Sequence, residues 1–308
     1  VDYDLLIIAT GSKPFIPPVQ GVDLKGVISF RDIYDVNTMI KYCETKKNAV
    51  VIGGGLLGLE AAYGLKQRGM NVTVLHLMDR IMERQLDGRA SRMLRQSIEE
   101  KGINIITEAN TEALIGKDGH VNQVRLKDGT VLDADLVVFA VGIRPNIALA
   151  QSAGLRCNRG ILVNDTMQTF DPSIYAVGEC IEHRNQTFGL VEPLWGQAFI
   201  CATHLAEHGS LTFKSPTVPT QLKVSGVDVF SAGNFEPKED YEDIILNDEK
   251  RQIYKRIIIQ KDKVIGAVLF GDTEDGMWYA ELIADQTPIS TFRNKLLFGK
   301  DFAMKKAG

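Results

Sequence analysis

A chain of 308 residues, 44% hydrophobic and 24% charged, is long enough for two or three domains around a sizeable core. Its net charge of −4 gives neither nucleic acid nor an anionic membrane surface a reason to bind, and no apolar run reaches the length of a membrane span. The four cysteines, Cys43, Cys157, Cys180 and Cys201, are scattered without a C-x-x-C pair. They write neither a disulfide framework nor a zinc or iron–sulfur site, and they suit reduced thiols in the cytoplasm.

In chain order, residues 4–11 read as a buried strand ending in a small-residue turn, Ala9-Thr10-Gly11. Residues 13–21 read as a loop because of Pro14, Pro17 and Pro18. A helix over about 32–46 leads into the apolar run Ala49 to Ile52, which meets Gly53, Gly55 and Gly58 at G-x-G-x-x-G spacing. The helical pattern of Leu59, Ala61, Ala62 and Leu65 follows, then a second strand at 71–75. Strand, glycine turn and helix in this order form a dinucleotide site. Gly53 permits the turn, Gly55 lets a pyrophosphate approach, and Gly58 allows close helix–strand packing. Leu56 and Leu57 open the helix and would present its unpaired N–H groups to the phosphates. An amphipathic helix (about 88–101) and a strand (103–107) come next. Three short runs separated by Asp118-Gly119 and Asp128-Gly129 then predict a β-meander. The apolar run 136–141 closes this unit at Gly142 and Ile143.

A further buried strand at 174–177 carries Gly178-Glu179 at its carboxyl end, where α/β folds place ligand contacts. Residues 191–207 read as a loop and then a helix. Proline and threonine punctuation at 214–220 marks a boundary, and alternating runs at 227–232, 252–260 and 264–270 predict a small antiparallel sheet with a helix at 275–285. Glu236 to Glu242 reads as a solvated turn. The fold class is α/β: two Rossmann-like three-layer domains, one incomplete, and a small α+β C-terminal domain. The boundaries fall at 1–31 with 147–213, at 32–146, and at 214–308.

Three motifs in fixed order, Ala9-Thr10-Gly11, Gly53-x-Gly55-x-x-Gly58 and Ala176-Val177-Gly178-Glu179, resemble those of the pyridine nucleotide–disulfide oxidoreductase superfamily. There an FAD domain is interrupted by an NAD(P)H domain and followed by a third. Residues 75–87, 175–183, 189–195, 222–233 and 266–272 are similar to the flavin-containing module of NAD(P)H-dependent nitrite reductase large subunits. The nearest relatives of that module are rubredoxin and ferredoxin reductases. The resemblance implies FAD and NAD(P)H as cofactors, with NADH favoured. It also implies hydride transfer from NAD(P)H to FAD, and an iron–sulfur acceptor domain or protein that passes electrons to a sirohaem centre. A homodimer is compatible with it. Only one glycine-rich strand–turn–helix is present, and it matches the NAD(P)H site. The chain is therefore expected to be a piece of a longer protein whose FAD domain is incomplete here and whose iron–sulfur and sirohaem regions lie elsewhere. Two other readings stand beside this one: a stand-alone rubredoxin or ferredoxin reductase, and a nucleotide-binding module that transfers nothing.

By the same resemblance, Ala9, Thr10, Gly11, Gly178 and Glu179 line the flavin nucleotide, with Glu179 accepting from the ribityl chain. Pro193, Leu194 and Trp195 form a loop beside the isoalloxazine, with an ordinary core role as the alternative for Trp195. Val141, Gly142 and Ile143 lie under the nicotinamide ribose. Glu60 is the catalytic candidate at the flavin–nicotinamide junction; a helix-N-terminal acid favoured by the dipole is an equal reading. At the end of the second strand, where an acid would bind the ribose of NAD, stands His76, with Asp79, Arg80 and Arg84 beyond, so coenzyme choice stays open. His183, His204 and His208 lack a completing carboxylate or cysteine, and no metal is expected.

Overall fold

A computed structural model describes residues 2–207, 211–215, 219–236 and 239–304. The chain divides into two compact units, Val1–Phe15 with Gly142–Val218, and Ile16–Val141 with Pro219–Gly308.

The larger unit is built on five parallel strands in the order Val27–Ser29, Leu136–Phe139, Asn48–Ile52, Asn71–Leu75, Ile103–Ile106. Strand side chains alternate between two covers, as period-2 geometry dictates. Ala49, Val51, Val72, Val74 and Val138 join a core with the helices Ile33–Thr45, Leu56–Gln67 and Gly88–Glu99. Val50, Ile52, Val137 and Phe139 pack with Leu114, Val121 and Val124 of the three-stranded meander Thr111–Lys117, His120–Leu126, Val131–Asp133. Both Asp-Gly hairpins form where the sequence places them. Residues 16–31, expected with the flavin domain, lie in this unit, because Val27–Ser29 completes the parallel ladder beside Leu136–Phe139.

The glycine turn leaves no spare volume at Gly53 and Gly58. Gly53 sits at φ +124°, and a Cβ there would lie 2.3 Å from the Ala140 carbonyl oxygen; a Cβ on Gly58 would lie 1.8 Å from the oxygen of Gly53. A Cβ on Gly55 would meet nothing within 4 Å.

The rest of the same unit is a five-stranded antiparallel sheet, ordered Thr220–Val224, Val227–Gly233, Lys263–Phe270, Ile253–Gln260, Glu242–Asp248. The first and last of these strands are not legible as alternating runs, and part of the expected solvated turn is the start of the last one. Both are edges. One face of the sheet packs under the helix Gly276–Ala284 through Phe230, Ile257 and Leu269, with Trp278, Tyr279 and Leu282 opposite. The other face delivers Val229, Tyr254, Val268 and Phe270 to the helix-side core of the nucleotide sheet. At that contact Asp87 caps the helix Gly88–Glu99, accepting from the Ala90 N–H at 2.9 Å. It also accepts from the Tyr254 hydroxyl at 2.8 Å and from Arg256 at 3.2 Å, while Arg256 reaches Asp243 at 3.0 Å. Burial, followed by the Asp87 charge, pushes the Tyr254 phenol far above its ordinary value, so it stays a donor.

The smaller unit pairs Leu6–Ile8 in parallel with Ile174–Ala176. Its core is Ile8, Ala150, Ile161, Tyr175, Ile181, Ile200 and Phe213. Pro14, expected in a loop, ends the strand Ser12–Pro14, paired antiparallel with Ile143–Pro145. In a two-stranded ribbon every residue is an edge residue, so proline's missing N–H can face outward. The helix Val191–Leu205 begins at residue 191, so the loop expected at the start of 191–207 is a first helical turn, where proline is tolerated because the N–H groups have no helical partner.

Two stability outcomes are expected. Gly58→Ala must force the turn open and lower stability by about 1–3 kcal/mol, as overpacking does, read as a fall in melting temperature. Asp87→Ala removes a helix cap and the acceptor of a buried hydroxyl. It should cost about 2–4 kcal/mol, against about 1 kcal/mol for Tyr254→Phe, in chemical denaturation; equal losses would contradict the shared role of Asp87.

Candidate functional site

In the larger unit the strand Asn48–Ile52 ends at Gly53, whose N–H bonds the Leu75 carbonyl at 2.8 Å. The helix Leu56–Gln67 then starts from Gly55 without any side-chain cap, and it has no acid in its first turn. The first-turn N–H groups of Leu56, Leu57 and Gly58, together with the open space at Gly55, therefore form a positively polarised cradle into which a phosphate fits. Glu60 follows this turn, and its Oε1 accepts from the Ser225 N–H at 2.9 Å, while the Ser225 hydroxyl donates to the Leu59 carbonyl at 3.4 Å. The acid proposed for catalysis thus anchors the hairpin turn between Thr220–Val224 and Val227–Gly233.

His76 is buried at the end of the strand Asn71–Leu75, with both ring nitrogens engaged. Nδ1 lies 3.0 Å from the Gly54 nitrogen and Nε2 lies 3.1 Å from Glu83 Oε2. A ring satisfied on both sides by the protein does not offer itself to a ribose hydroxyl, which corrects the direct contact expected of His76. The Arg84 side chain is 84% exposed, with its Nε 3.8 Å from Glu83. Arg80 is held by Glu236. Val141 is half-buried at the end of the last parallel strand.

In the smaller unit the two parallel strands bring their carboxyl-end motifs side by side. Ala9-Thr10-Gly11 leaves one strand and Val177-Gly178-Glu179 the other, tied by the Val177 N–H to the Ile8 carbonyl at 3.0 Å. Thr10 donates to the Asn146 carbonyl at 2.6 Å, and Asn146 returns an N–H to Gly11 at 2.8 Å. Gly11 (φ +65°) and Gly178 (φ +93°) each leave space where a Cβ would stand. Glu179 accepts from the Ser12 hydroxyl at 2.7 Å. Gly142 carries φ +104° and is exposed, and Ile143 lies against Gly189.

Gln197 is a site residue that sequence reasoning missed. Its side chain is fully buried, its Oε1 accepts the Gly178 N–H at 2.8 Å, and its Nε2 has no partner. A buried amide donor left unpaired beside an open glycine is the mark of a site shaped for an acceptor that is not protein. The signal was a lone polar residue inside the apolar helical run 193–200. On the same helix Pro193 is buried, Leu194 half-buried, and Trp195 is 72% exposed, so Trp195 is no core residue.

The remaining polar candidates are engaged elsewhere. His183 bonds Asp165 at 2.8 Å and His204 bonds the Tyr175 hydroxyl at 3.0 Å, while His208 lies outside the described residues. Burial raises the thiols of Cys43, Cys157 and Cys201 above their ordinary value, which disfavours the thiolate a disulfide exchange needs. No helix among the described residues is long and apolar enough to cross a membrane.

Comparison with known proteins agrees with this geometry. The family model described as pyridine nucleotide-disulphide oxidoreductase matches residues 1–198, and that of the rubredoxin NAD+ reductase C-terminal domain matches 219–287. The chain is 50% identical over 288 residues to a nitrite reductase [NAD(P)H] of Bacillus subtilis, covering 94% of this chain and 36% of that protein. It is 42% identical over 297 residues to an assimilatory nitrate reductase electron transfer subunit of the same organism, covering 96% and 38%. It thus spans little more than a third of the length of these relatives. Among solved structures, an NAD-dependent persulfide reductase from A. fulgidus superposes with a TM-score of 0.86 at 30% identity, covering 96% of this chain and 59% of that one. With a family model matching residues 1–198 of its 308, the chain belongs to the pyridine nucleotide-disulphide oxidoreductase family, whose cofactors are FAD and NAD(P)H.

Proposed function

We propose that this chain is the electron-entry part of a flavoprotein reductase. It takes hydride from an NAD(P)H whose pyrophosphate is held at the glycine turn 53–58 and delivers electrons, through FAD, to an iron–sulfur acceptor that serves nitrite reduction. The observation that carries the reading is the uncapped helix at Gly55, open where a pyrophosphate would sit and closed everywhere else around the turn. FAD, when bound, accepts the hydride pair and releases electrons singly, which suits a one-electron acceptor.

The chain's own groups do the holding. The N–H groups of residues 56–58 bind the coenzyme's pyrophosphate. Gln197 donates its free Nε2 to the flavin, while its Oε1 fixes Gly178. Glu179, held by Ser12, and Thr10, held by Asn146, shape the wall that the nucleotide of FAD lies against. Glu60 keeps the antiparallel sheet against the helix that carries the cradle. The nitrite assignment draws on the 50% identity with the Bacillus subtilis enzyme. The match of residues 219–287 to a rubredoxin reductase domain favours a second reading, in which a separate small iron–sulfur protein is the acceptor. The four free cysteines agree with a cytoplasmic location.

Purified protein supplemented with FAD and titrated anaerobically with NADH tests the proposal. Loss of flavin absorbance in proportion to added NADH is the expected result; binding of NADH with no bleaching would leave a nucleotide-binding module instead. Gln197→Leu should raise the Kd for FAD about tenfold, the worth of one buried hydrogen bond, with NADH affinity unchanged. A variant that retains FAD like the parent would remove Gln197 from the site.

A further inference from the structure

We propose that Glu83, held in place by His76, is the residue that recognises the adenosine ribose of the coenzyme and sets a preference for NADH over NADPH. The inference rests on reading the glycine turn as the dinucleotide site.

A backbone N–H is always a donor, so the contact between the Gly54 nitrogen and His76 Nδ1 at 3.0 Å requires Nδ1 to accept. The imidazole hydrogen then resides on Nε2, which faces Glu83 Oε2 at 3.1 Å and donates to it. His76 is 8% exposed, and its two nitrogens are both committed. It therefore acts as a positioning residue that transmits the location of the glycine turn to a carboxylate.

The carboxylate lies beside the glycine turn. The loop after the strand Asn71–Leu75 folds back over the turn, and the Met82 N–H donates to the Gly54 carbonyl at 3.0 Å. A Cβ on Gly54 would lie 2.9 Å from both the His76 ring and Ile81, so turn and loop are in van der Waals contact. Glu83 is the next residue along. Its side chain is 24% exposed, and its second oxygen lies 3.8 Å from the Nε of the exposed Arg84, with no hydrogen bond to it among the described residues. An acid beside the end of the second strand accepts from a ribose 2′-hydroxyl, and its charge opposes a 2′-phosphate. The strand itself places a histidine where that acid belongs, and the structure supplies the acid from seven residues further on. Arg80, the other cation of the loop, is tied to Glu236. Arg84, 84% exposed and 3.8 Å from Glu83, is a cation that could turn toward a phosphate once the carboxylate is neutralised.

Binding alone is the readout, with no turnover required. NADH and NADPH are titrated separately into the purified chain, following nicotinamide fluorescence or heat. The parent should bind NADH more tightly. Glu83→Gln should weaken NADH about 10- to 100-fold, the range for a lost hydrogen bond to a charged group, and leave NADPH unchanged or tighter. His76→Leu should reduce the NADH:NADPH ratio similarly, and His76→Gln, which restores a donor and an acceptor, should recover part of it. If Glu83→Gln proves too unstable to titrate, Glu83→Asp, charged but shorter, should give an intermediate ratio. Equal weakening of both coenzymes, or an unchanged ratio, would overturn the role of Glu83 while leaving the dinucleotide site standing. A parent chain that binds neither coenzyme would remove the site itself.

Discussion

The structure depends on a steric constraint at the carboxyl end of the parallel sheet. Three backbone segments, at Gly53, Gly58 and Ala140, approach so closely that a single methyl group on either glycine would overlap a carbonyl oxygen. The closeness is what lets the helix Leu56–Gln67 start after only Gly53, Gly54 and Gly55 beyond the strand's end, with its first N–H groups uncapped. A capping side chain at Gly55 would satisfy those groups and close the cradle. The void at Gly55 and the absence of voids at Gly53 and Gly58 are thus two aspects of the same packing.

A tight turn is useful only if its flanks hold still, and two sets of bonds within the larger unit do this. Glu60 and Leu59, one helical turn past the cradle, are bonded to Ser225 at the tip of a hairpin in the antiparallel sheet. Asp87 combines a helix cap with acceptor roles for Tyr254 and Arg256 of the same sheet. The Asp87 carboxylate is buried, yet three donors surround it, which is the condition under which a buried charge is tolerated. The antiparallel sheet therefore braces the nucleotide fold from the helix side, whatever further part it plays in meeting an electron acceptor.

How much of this was legible in sequence follows from burial. The interior strands Asn48–Ile52, Asn71–Leu75 and Leu136–Phe139 announce themselves as apolar runs because helices cover one face and the meander the other. Within the larger unit the strands that escaped notice, Val27–Ser29, Thr220–Val224 and Glu242–Asp248, are all edges. An edge has one neighbour and a wet side, so its side chains need not alternate cleanly, and Glu242–Asp248 carries acids at both ends. The loop expected at 193–195 is instead the first turn of a helix, where Pro193 removes an N–H that had no partner to lose. Cofactor motifs were legible because glycine spacing records backbone geometry. Gln197 was not, because nothing in a sequence says which buried amide will be left with an unpaired hydrogen.

His76 shows why a rule about one position can fail while the physics behind it holds. The rule asks for an acid at the end of the second strand because a ribose diol needs an acceptor there and a phosphate needs to be refused. Neither requirement specifies which residue supplies the charge. Here the strand's end is occupied by an imidazole that bonds the turn on one side and a carboxylate on the other. The pair passes positional information through two hydrogen bonds and a shared proton assignment, so the loop can bear the charge without being an extension of the strand. The arrangement also ties coenzyme recognition to the integrity of the turn: displace the Gly54 N–H, and the histidine loses the contact that fixes its tautomer and so aims Glu83. Recognition and fold at this end of the sheet are then held by the same few hydrogen bonds.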